Sequence, residues 1–291
     1  GKEVTVIVPD AIPNFLYWMK GIEAILVFES QSDLCIQKFQ EADIIFSLDY
    51  NDLSRVGIMG KEIEKTTAYK IMIDHHLYPS DFSNWKLSKT EVCSTAQLIY
   101  EYIELLGDEN LIDLDIAEGI YTGILTDTGS FRFPSVDAKT HKIAANLIDL
   151  GLNHAFIHES IHDTNTIQRL AFLGFALNQR LKVLPNIPVA IITLSKEDAA
   201  QFKIEKGDTE GLVNWALSIK GISMAAFIRE DKDKVKMSFR SKGDIPVNEY
   251  SSAHFEGGGH KNAAGGVSYK SLNDTIEYFE KTIYEFIEKL G

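Results

Sequence analysis

The sequence predicts a two-domain α/β protein, in which a mostly parallel sheet domain is joined by a helical linker to a smaller domain with a mixed sheet. Its 291 residues suit two domains of ordinary size. Short apolar runs of strand length alternate with segments of helical period, and this pattern starts again after a long helical stretch. We therefore predict domains at 1–160 and 183–291, with the linker at 161–182.

The first domain begins with four apolar runs of strand length, EVTVIVP, AILVF, ADIIFSLD and YKIMIDHH. Two segments with helical spacing, SDLCIQKFQEA and NDLSRVGIMGKEIEK, lie between these runs. Strands that alternate with helices are typical of a parallel sheet covered on both faces. From Ser94 onward the spacing predicts helices, in STAQLIYEYIELLG, DLDIAEGIYTGILTDTG and DAKTHKIAANLIDLG.

The second half resumes the α/β pattern after a long helix predicted over 155–181. Three runs read as strands, IPVAIITL, ISMAAFIRED and KVKMSFRSK, and EDKD marks the turn between the last two. Helical spacing returns in GLVNWALSI and in the closing LNDTIEYFEKTIYEFIEKL. These elements predict the smaller mixed sheet.

Composition limits the partners of the protein. A formal net charge of −13 argues against wrapping a long nucleic-acid duplex, but small anions held by bound metal ions remain compatible with it. No apolar run approaches the ~20 residues of a membrane helix, so we predict no membrane partner. Two distant cysteines, Cys35 and Cys93, indicate a reducing compartment, and we expect the cytoplasm.

Titratable side chains follow two of the predicted parallel strands. Asp49 comes after IIFSL, and Asp74, His75 and His76 come after IMI. The carboxyl ends of parallel strands meet at one sheet edge, where ligands gather. Clustered carboxylates repel unless a cation is present, and oxygen ligands with one imidazole suit Mn²⁺, Mg²⁺ or Fe²⁺. The alternative is that Asp49 caps the next helix and the Asp-His-His run is a surface turn.

Two further segments could carry chemistry. In GILTDTGSFRF, Asp127 ends an apolar helical run among small residues and Arg132 follows five positions later, although such an aspartate often only caps a helix. In GGGHKNAAGG, three consecutive glycines could present backbone donors to a phosphate, although glycine runs are often plain loops. The histidines at 154, 158 and 162 share one helix face and could bind a transition metal, but no carboxylate pattern supports this site.

These pieces in this order resemble the DHH phosphoesterase family: an aspartate at a strand end, DHH at the next strand end, TDTGSFRF after a helix, and GGGHKNAAGG near the C-terminus. The chain is most similar to the two-domain branch with oligoribonuclease and 3′-phosphoadenosine-5′-phosphate phosphatase activity. The resemblance implies hydrolysis of short oligoribonucleotides or of this nucleotide bisphosphate by water that two divalent cations activate. Mn²⁺ is the first expectation, with Mg²⁺ or Fe²⁺ as alternatives.

The resemblance also implies a role for each matching residue. Asp49 would bridge the two cations, while His75 and Asp127 would each ligate one of them. Asp74 would support the site and His76 would face the scissile phosphate. The remaining candidates would bind substrate: Arg132, Arg240 (with Arg229 as the weaker choice), Gly257, Gly258, Gly259 and His260.

One family motif, roughly His-x-Asn-Pro-Asp-Gly-Asp-Ala, does not occur in this sequence. In the family it supplies further metal ligands, so we expect that the natural chain begins earlier and that this polypeptide alone is inactive. Other functions stay open at this point: a cyclic or linear dinucleotide phosphodiesterase, a pyrophosphatase-like or exopolyphosphatase-like hydrolase, and a non-catalytic nucleotide-binding protein. A homo-oligomer is also compatible with the sequence.

Overall fold

A computed structural model describes residues 1–205 and 207–290, and the chain forms two units, Gly1–Thr164 and Asn165–Gly291. Each unit encloses hydrophobic clusters of its own. Parallel strands in the first unit and a mixed sheet in the second confirm the predicted fold class. Among the described helices, none combines the length and the apolar character that crossing a bilayer requires.

The first unit places its strands in two groups. Strands β1 (Ile7–Val8) and β2 (Leu26–Val27) pair in parallel. A three-stranded parallel sheet contains β3 (Ile44–Leu48), β4 (Tyr69–Asp74) and β5 (Trp85–Ser88) in that order. Because β3 and β4 are neighbours and Leu48 pairs with Ile73, their carboxyl ends lie side by side.

Six helices complete the first unit: α1 (Phe28–Glu41), α2 (Gly57–Glu64), α3 (Thr95–Leu106), α4 (Leu114–Asp127), α5 (Ala138–Asp149) and α6 (His154–His162). The Ser94 side chain caps α3 by accepting a hydrogen bond from the Gln97 N–H. Helices α3 and α4 pack closely at Gly123, where an added Cβ would lie 2.5 Å from the Ala96 Cβ. This contact fixes the helix that ends at Asp127.

Three sequence expectations need correction. The long helix predicted over 155–181 is wrong, because α6 ends at His162 and α7 (Ile167–Phe175) begins after Thr166, which caps it by accepting from the Arg169 N–H. A π-helical turn follows at Ala176–Arg180. The strand predicted in AILVF shrinks to two residues because α1 starts at Phe28. The helix predicted in NDLSRVGIMGKEIEK is a 3₁₀ turn, Leu53–Val56, followed by the short helix α2.

The second unit contains a six-stranded sheet in the order β10-β11-β9-β8-β7-β6. Its strands are β6 (Leu181–Val183), β7 (Val189–Leu194), β8 (Met224–Glu230), β9 (Val235–Ser241), β10 (Gly258–His260) and β11 (Ala263–Ser268). Strands β7 and β8 are parallel, and the other neighbouring pairs are antiparallel. Its described helices are α7, introduced above, together with α8 (Lys196–Gln201), α9 (Leu212–Leu217), α10 (Val247–His254) and α11 (Leu272–Glu288).

Alternation along β9 divides the sheet of the second unit into a core face and a more open face. On one face, Val235, Met237 and Phe239 are buried. On the other face, Lys236 and Arg240 are half-buried. Phe239 joins a fully buried aromatic cluster with Tyr250 and Phe279. The opposite side of the strand therefore presents its polar side chains together.

Candidate metal centre

Three potential metal ligands meet where β3, β4 and α4 end. The Nε2 atom of His75 lies 3.6 Å from Asp49 Oδ1 and 3.7 Å from Asp127 Oδ2. The three ligand atoms all lie within 4.8 Å of one another. The structure thus brings together side chains that are up to 78 positions apart in the sequence (127 − 49 = 78).

Asp49 follows β3 directly and has a left-handed backbone with φ of +66°. Aspartate adopts this conformation more readily than most residues with a side chain. Its N–H donates to the Ile73 carbonyl at 3.1 Å, and the Thr95 hydroxyl donates to Asp49 Oδ1 at 2.8 Å. Backbone and side chain are therefore both fixed before any ligand binds.

His75 is oriented through its other ring nitrogen. Nδ1 lies 3.0 Å from the Val92 carbonyl, an acceptor, so Nδ1 carries the proton in this contact. That tautomer leaves the Nε2 lone pair directed at Asp49 and Asp127, as in metal-binding histidines whose second nitrogen donates to a backbone oxygen. The Val92 carbonyl is thus a supporting group that no side-chain pattern in the sequence could reveal.

Asp74 and His76 form a separate, tightly bonded pair. The Asp74 carboxylate is fully buried and accepts from the His76 N–H at 2.6 Å and from His76 Nδ1 at 2.8 Å. Burial raises the pKa of Asp74, but the hydrogen bonds from His76 and the nearby imidazoles outweigh it, and the pKa lies below its ordinary value. Asp74 is therefore ionised at neutral pH and holds the His76 ring in one orientation.

Asp49 belongs to two overlapping groups of ligand atoms. It lies within 4.8 Å of His75 and Asp127 in one group, and of Asp74 and His76 in the other. Asp49 is thus the residue that the two groups share. The Asp74 oxygens already accept hydrogen bonds from His76. The group with His75 and Asp127 can therefore bind a cation with less loss of existing hydrogen bonds.

Asp127 is the carboxylate of the site whose pKa is raised. Burial, followed by the Asp49 charge, raises its pKa to about 6 even though the His75 and His76 imidazoles partly offset this. The carboxyl group also lies at the C-terminal end of α4, where the helix dipole disfavours negative charge. A divalent cation would relieve this repulsion, and two carboxylates with one imidazole suit Mn²⁺, Mg²⁺ or Fe²⁺. The donor set therefore fits the predicted kind of metal.

A compact turn follows Asp127. Gly129, Ser130 and Phe131 have φ values of +56°, +63° and +60°, an unfavourable conformation for the two residues with side chains. Thr128 holds this turn: its buried hydroxyl accepts from the Phe131 N–H at 2.9 Å and its carbonyl accepts from the Arg132 N–H at 2.9 Å. Arg132 emerges exposed from the turn and lies over the Phe133 ring.

The second unit contains a cavity of about 480 Å³ on the open face of its sheet. Its lining includes the predicted Arg240 and the weaker candidate Arg229, together with Phe227, Lys236, Ser238 and Gly265. Strand register explains this grouping, because Arg229 pairs with Lys236, and Ser238 pairs with both Phe227 and Gly265. Lys236 was not among the residues selected from the sequence, since alternation within a strand does not show which neighbouring strand it pairs with or in which register.

The glycine-rich segment forms a hairpin of β10 and β11 rather than a loop. At Gly257 an added Cβ would lie 2.1 Å from both the Gly265 carbonyl oxygen and Ser251 Oγ, and at Gly259 it would lie 2.5 Å from the Ala263 oxygen. At Gly258 the nearest atom, Ser252 Oγ, would be 3.8 Å away. Close packing thus accounts for two glycines, and the substrate contacts of Gly257–Gly259 and His260 stay predictions.

Comparisons with known proteins match both units of the chain. A model described as the DHH family N-terminal domain matches residues 1–124, and one described as the DHHA1 domain matches residues 186–289. A protein of Thermus thermophilus named bifunctional oligoribonuclease and PAP phosphatase NrnA is 28% identical over 96% of this chain and 82% of its own length. A protein of the same name from Bacillus subtilis is 30% identical over 69% of this chain and 63% of its own.

Among solved structures, an exopolyphosphatase-related protein of Bacteroides fragilis is 38% identical. It superposes with a TM-score of 0.95, covering 99% of this chain and 85% of its own. The match extends over both units of the chain, so the similarity is not confined to the segment that carries Asp49, His75 and Asp127.

Proposed function

The chain belongs to the DHH family of phosphoesterases, as its resemblance predicted, and from this premise we propose that it hydrolyses short oligoribonucleotides and 3′-phosphoadenosine-5′-phosphate. The observation that carries the proposal is the meeting of Asp49, His75 and Asp127 within 4.8 Å. The two relatives named as oligoribonuclease and PAP phosphatase support the choice of substrates.

Asp49, His75 and Asp127 would hold a divalent cation, for which Mn²⁺ is the first candidate. The shared position of Asp49 supports a second cation on its other side, next to Asp74 and His76. When bound, such cations lower the pKa of a coordinated water and offset the charge that builds on the phosphoryl oxygens. Thr95 and the Val92 carbonyl keep Asp49 and His75 in place, so little rearrangement is needed on binding.

His76 would contact the scissile phosphate. Asp74 binds the Nδ1 side of its ring and remains ionised, so a positive charge on the imidazole is stabilised when an anion approaches. In this arrangement the ring can donate a hydrogen bond to a phosphoryl oxygen without reorienting. Asp74 acts through His76 and is therefore a positioning residue.

The open sheet face of the second unit would bind the nucleotide part of the substrate. Arg229, Lys236 and Arg240 supply positive charge around a floor made by Ser238 and Gly265, although two glutamates, Glu210 and Glu256, also line the cavity. Arg132 and the residues Gly257, Gly258, Gly259 and His260 are further substrate contacts in this proposal. A chain with net charge −13 gains little from long polyanions, which favours short substrates. Two buried free thiols agree with a cytoplasmic location.

Hydrolysis assays with the full-length gene product test the proposal. Labelled dinucleotide, trinucleotide, a longer RNA and 3′-phosphoadenosine-5′-phosphate are each incubated with Mn²⁺ or with chelator, using wild type, His75→Ala and the exposed-histidine control His154→Ala. We expect metal-dependent cleavage of the short substrates and the bisphosphate, lost in His75→Ala and retained in His154→Ala. Equal activity of His75→Ala and wild type would overturn the proposal.

A second candidate, hydrolysis of inorganic polyphosphate, is suggested by the similarity to the exopolyphosphatase-related protein of Bacteroides fragilis. The two relatives named as oligoribonuclease and PAP phosphatase favour nucleotide substrates instead. Adding polyphosphate and a cyclic dinucleotide to the same assay separates these candidates. A higher kcat/KM for polyphosphate than for every nucleotide would favour the second function.

A further inference from the structure

Helix α6 carries a row of imidazoles outside the candidate metal centre. His154, His158 and His162 lie one turn apart, with ring centroids 6.3 Å and then 5.9 Å from each other. The Nε2 atom of His158 lies 3.4 Å from the Tyr121 hydroxyl, and that of His162 lies 2.9 Å from the Ser130 hydroxyl. Two imidazole nitrogens therefore face α4 and the turn that follows it.

The chemistry of this row suits a metal ion. Burial, followed by the neighbouring His162 and His154, lowers the pKa of His158, so the ring is neutral at pH 7 and able to ligate. Two imidazoles on one ion, with metal–nitrogen distances near 2.0–2.1 Å, place their ring centres about 5 Å apart. The His158–His162 separation of 5.9 Å requires only small side-chain rotations to reach this value.

Position along the helix selects one pair of the three histidines. His162 lies in the last turn of α6, where the helix dipole favours a cation, and His158 lies one turn before it, whereas His154 is the first residue of the helix. Imidazole ligands favour Zn²⁺, Cu²⁺ and Ni²⁺ over the harder Mg²⁺ and Mn²⁺ that suit the carboxylate-rich centre. The two sites therefore differ in the kind of ion that they prefer.

We propose that His158 and His162 form a second site, for a late divalent transition metal such as Zn²⁺, and that its occupation inhibits hydrolysis. To ligate an ion, His162 must give up its contact with Ser130, which lies in the left-handed turn three residues after Asp127. The Ser130–His162 contact supports this strained turn from outside, in addition to the two hydrogen bonds to Thr128. Loss of the Ser130 contact would displace Asp127, which would ligate the catalytic cation. The inhibitory effect therefore rests on the proposed function, whereas metal binding at His158 and His162 does not.

Binding is tested with Cu²⁺ and Zn²⁺ in the full-length protein bearing His75→Ala and Asp127→Asn, which weakens the candidate centre. Electron paramagnetic resonance with Cu²⁺ should show two nitrogen ligands, and calorimetry with Zn²⁺ should show affinity reduced at least about tenfold by His158→Gln or by His162→Gln. His141→Gln, which alters a histidine outside the row, should leave both signals unchanged. Equal Zn²⁺ affinity with and without His158→Gln would overturn the site.

Inhibition is tested separately in the otherwise wild-type protein with Mn²⁺ present. We expect the Zn²⁺ concentration that halves hydrolysis to rise about tenfold in His158→Gln, with activity in the absence of Zn²⁺ retained. Unchanged inhibition in this variant would overturn the link to Asp127. Binding of Cu²⁺ and Zn²⁺ is measured without substrate, so it does not depend on hydrolytic activity. A protein without activity would refute the proposed function, whereas the binding measurement alone decides whether His158 and His162 form a metal site.

Discussion

The two units present opposite charges by different structural means. In the first, Asp49, His75 and Asp127 come from loops at the ends of two strands and one helix, and their carboxylates repel each other. In the second, Arg229, Lys236 and Arg240 project from the paired strands β8 and β9. An acidic cluster attracts a cation and basic side chains attract an anion, which supports the proposal that the first unit carries the catalytic residues and the second binds substrate.

Side chains in both regions have defined partners. Asp49, His75 and His76 each have a hydrogen-bond partner that sets their orientation. Among the cavity cations, Arg229 donates to the Thr209 hydroxyl at 3.3 Å and Lys236 pairs with Asp231. Because the first region would hold the metal and the second the nucleotide, we expect substitutions in the first to affect mainly kcat and metal affinity, and those in the second mainly KM.

The largest expected effect comes from removing a metal ligand. Asp127→Asn keeps the shape of the side chain but removes the charge that would bind the cation, so kcat/KM should fall more than about 100-fold, beyond the loss typical of a supporting residue. Steady-state hydrolysis of a labelled dinucleotide measures the effect. Asp233→Asn in the β8–β9 turn serves as control and should match wild type. A fall of less than threefold in Asp127→Asn would contradict the assignment.

A smaller loss is expected for the positioning residue. Asp74→Asn removes the ionised partner of His76, and kcat should fall about 10–100-fold while KM changes little. A rise in KM with unchanged kcat would place Asp74 with the binding residues instead.

The basic sheet face should respond in the opposite way. Arg240→Ala removes a charged hydrogen-bond donor worth about 1.5–3 kcal/mol, so KM for a dinucleotide should rise at least about tenfold with a smaller change in kcat. Lys182→Ala, at the far edge of the same sheet, removes a cation paired with Glu280 and should leave KM unchanged. Equal KM values for the two variants would remove Arg240 from the substrate site.

Adjacent glycines of the β10–β11 hairpin provide a matched stability test. Gly257→Ala forces a Cβ to within 2.1 Å of backbone and side-chain oxygens, whereas Gly258→Ala meets its nearest atom at 3.8 Å. Urea denaturation should show Gly257→Ala destabilised by about 1–3 kcal/mol and Gly258→Ala nearly unchanged. Similar losses in both variants would show that packing at Gly257 is not the constraint.

The smallest expected effect is the change in stability that accompanies protonation of Asp127. Without metal, Asp127 has a pKa of about 6, above the value near 3.9 for an unfolded chain. Its contribution to stability is therefore complete below about pH 4 and is lost as pH rises through about 6. Carbon NMR of the Asp127 carboxyl should show this pKa, and Asp49→Asn should lower it by removing the like charge. An unchanged pKa in Asp49→Asn would mean that burial alone causes the shift.

The sequence predicted the ligands better than the groups that hold them. Asp49 and His75 were selected because strand ends are recognisable from periodicity, whereas Asp127 was selected as a ligand through the family resemblance. Thr95 escaped notice because a threonine at a helix start resembles a cap, and the Val92 carbonyl has no sequence signature at all. Lys236 was not predicted as a residue of the cavity, because strand register is set by tertiary pairing.

Local structure was missed where a signal was short or ambiguous. Strand β5 has four residues, Trp85–Ser88, with little apolar character, and β10 and β11 are rich in glycine, which is typical of loops. The break between α6 and α7 falls at Asp163–Thr166, four polar residues within an otherwise helical period. In each case tertiary pairing or capping decided the outcome over local preference.

The most direct test of the central claim is Mn²⁺-dependent hydrolysis of a labelled dinucleotide by the full-length gene product, measured beside its His75→Ala variant. We predict cleavage that requires the metal and that falls more than about 100-fold in His75→Ala, while circular dichroism shows the variant folded. Cleavage that persists in chelator, or that is equal in the two proteins, would contradict the metal centre built from Asp49, His75 and Asp127.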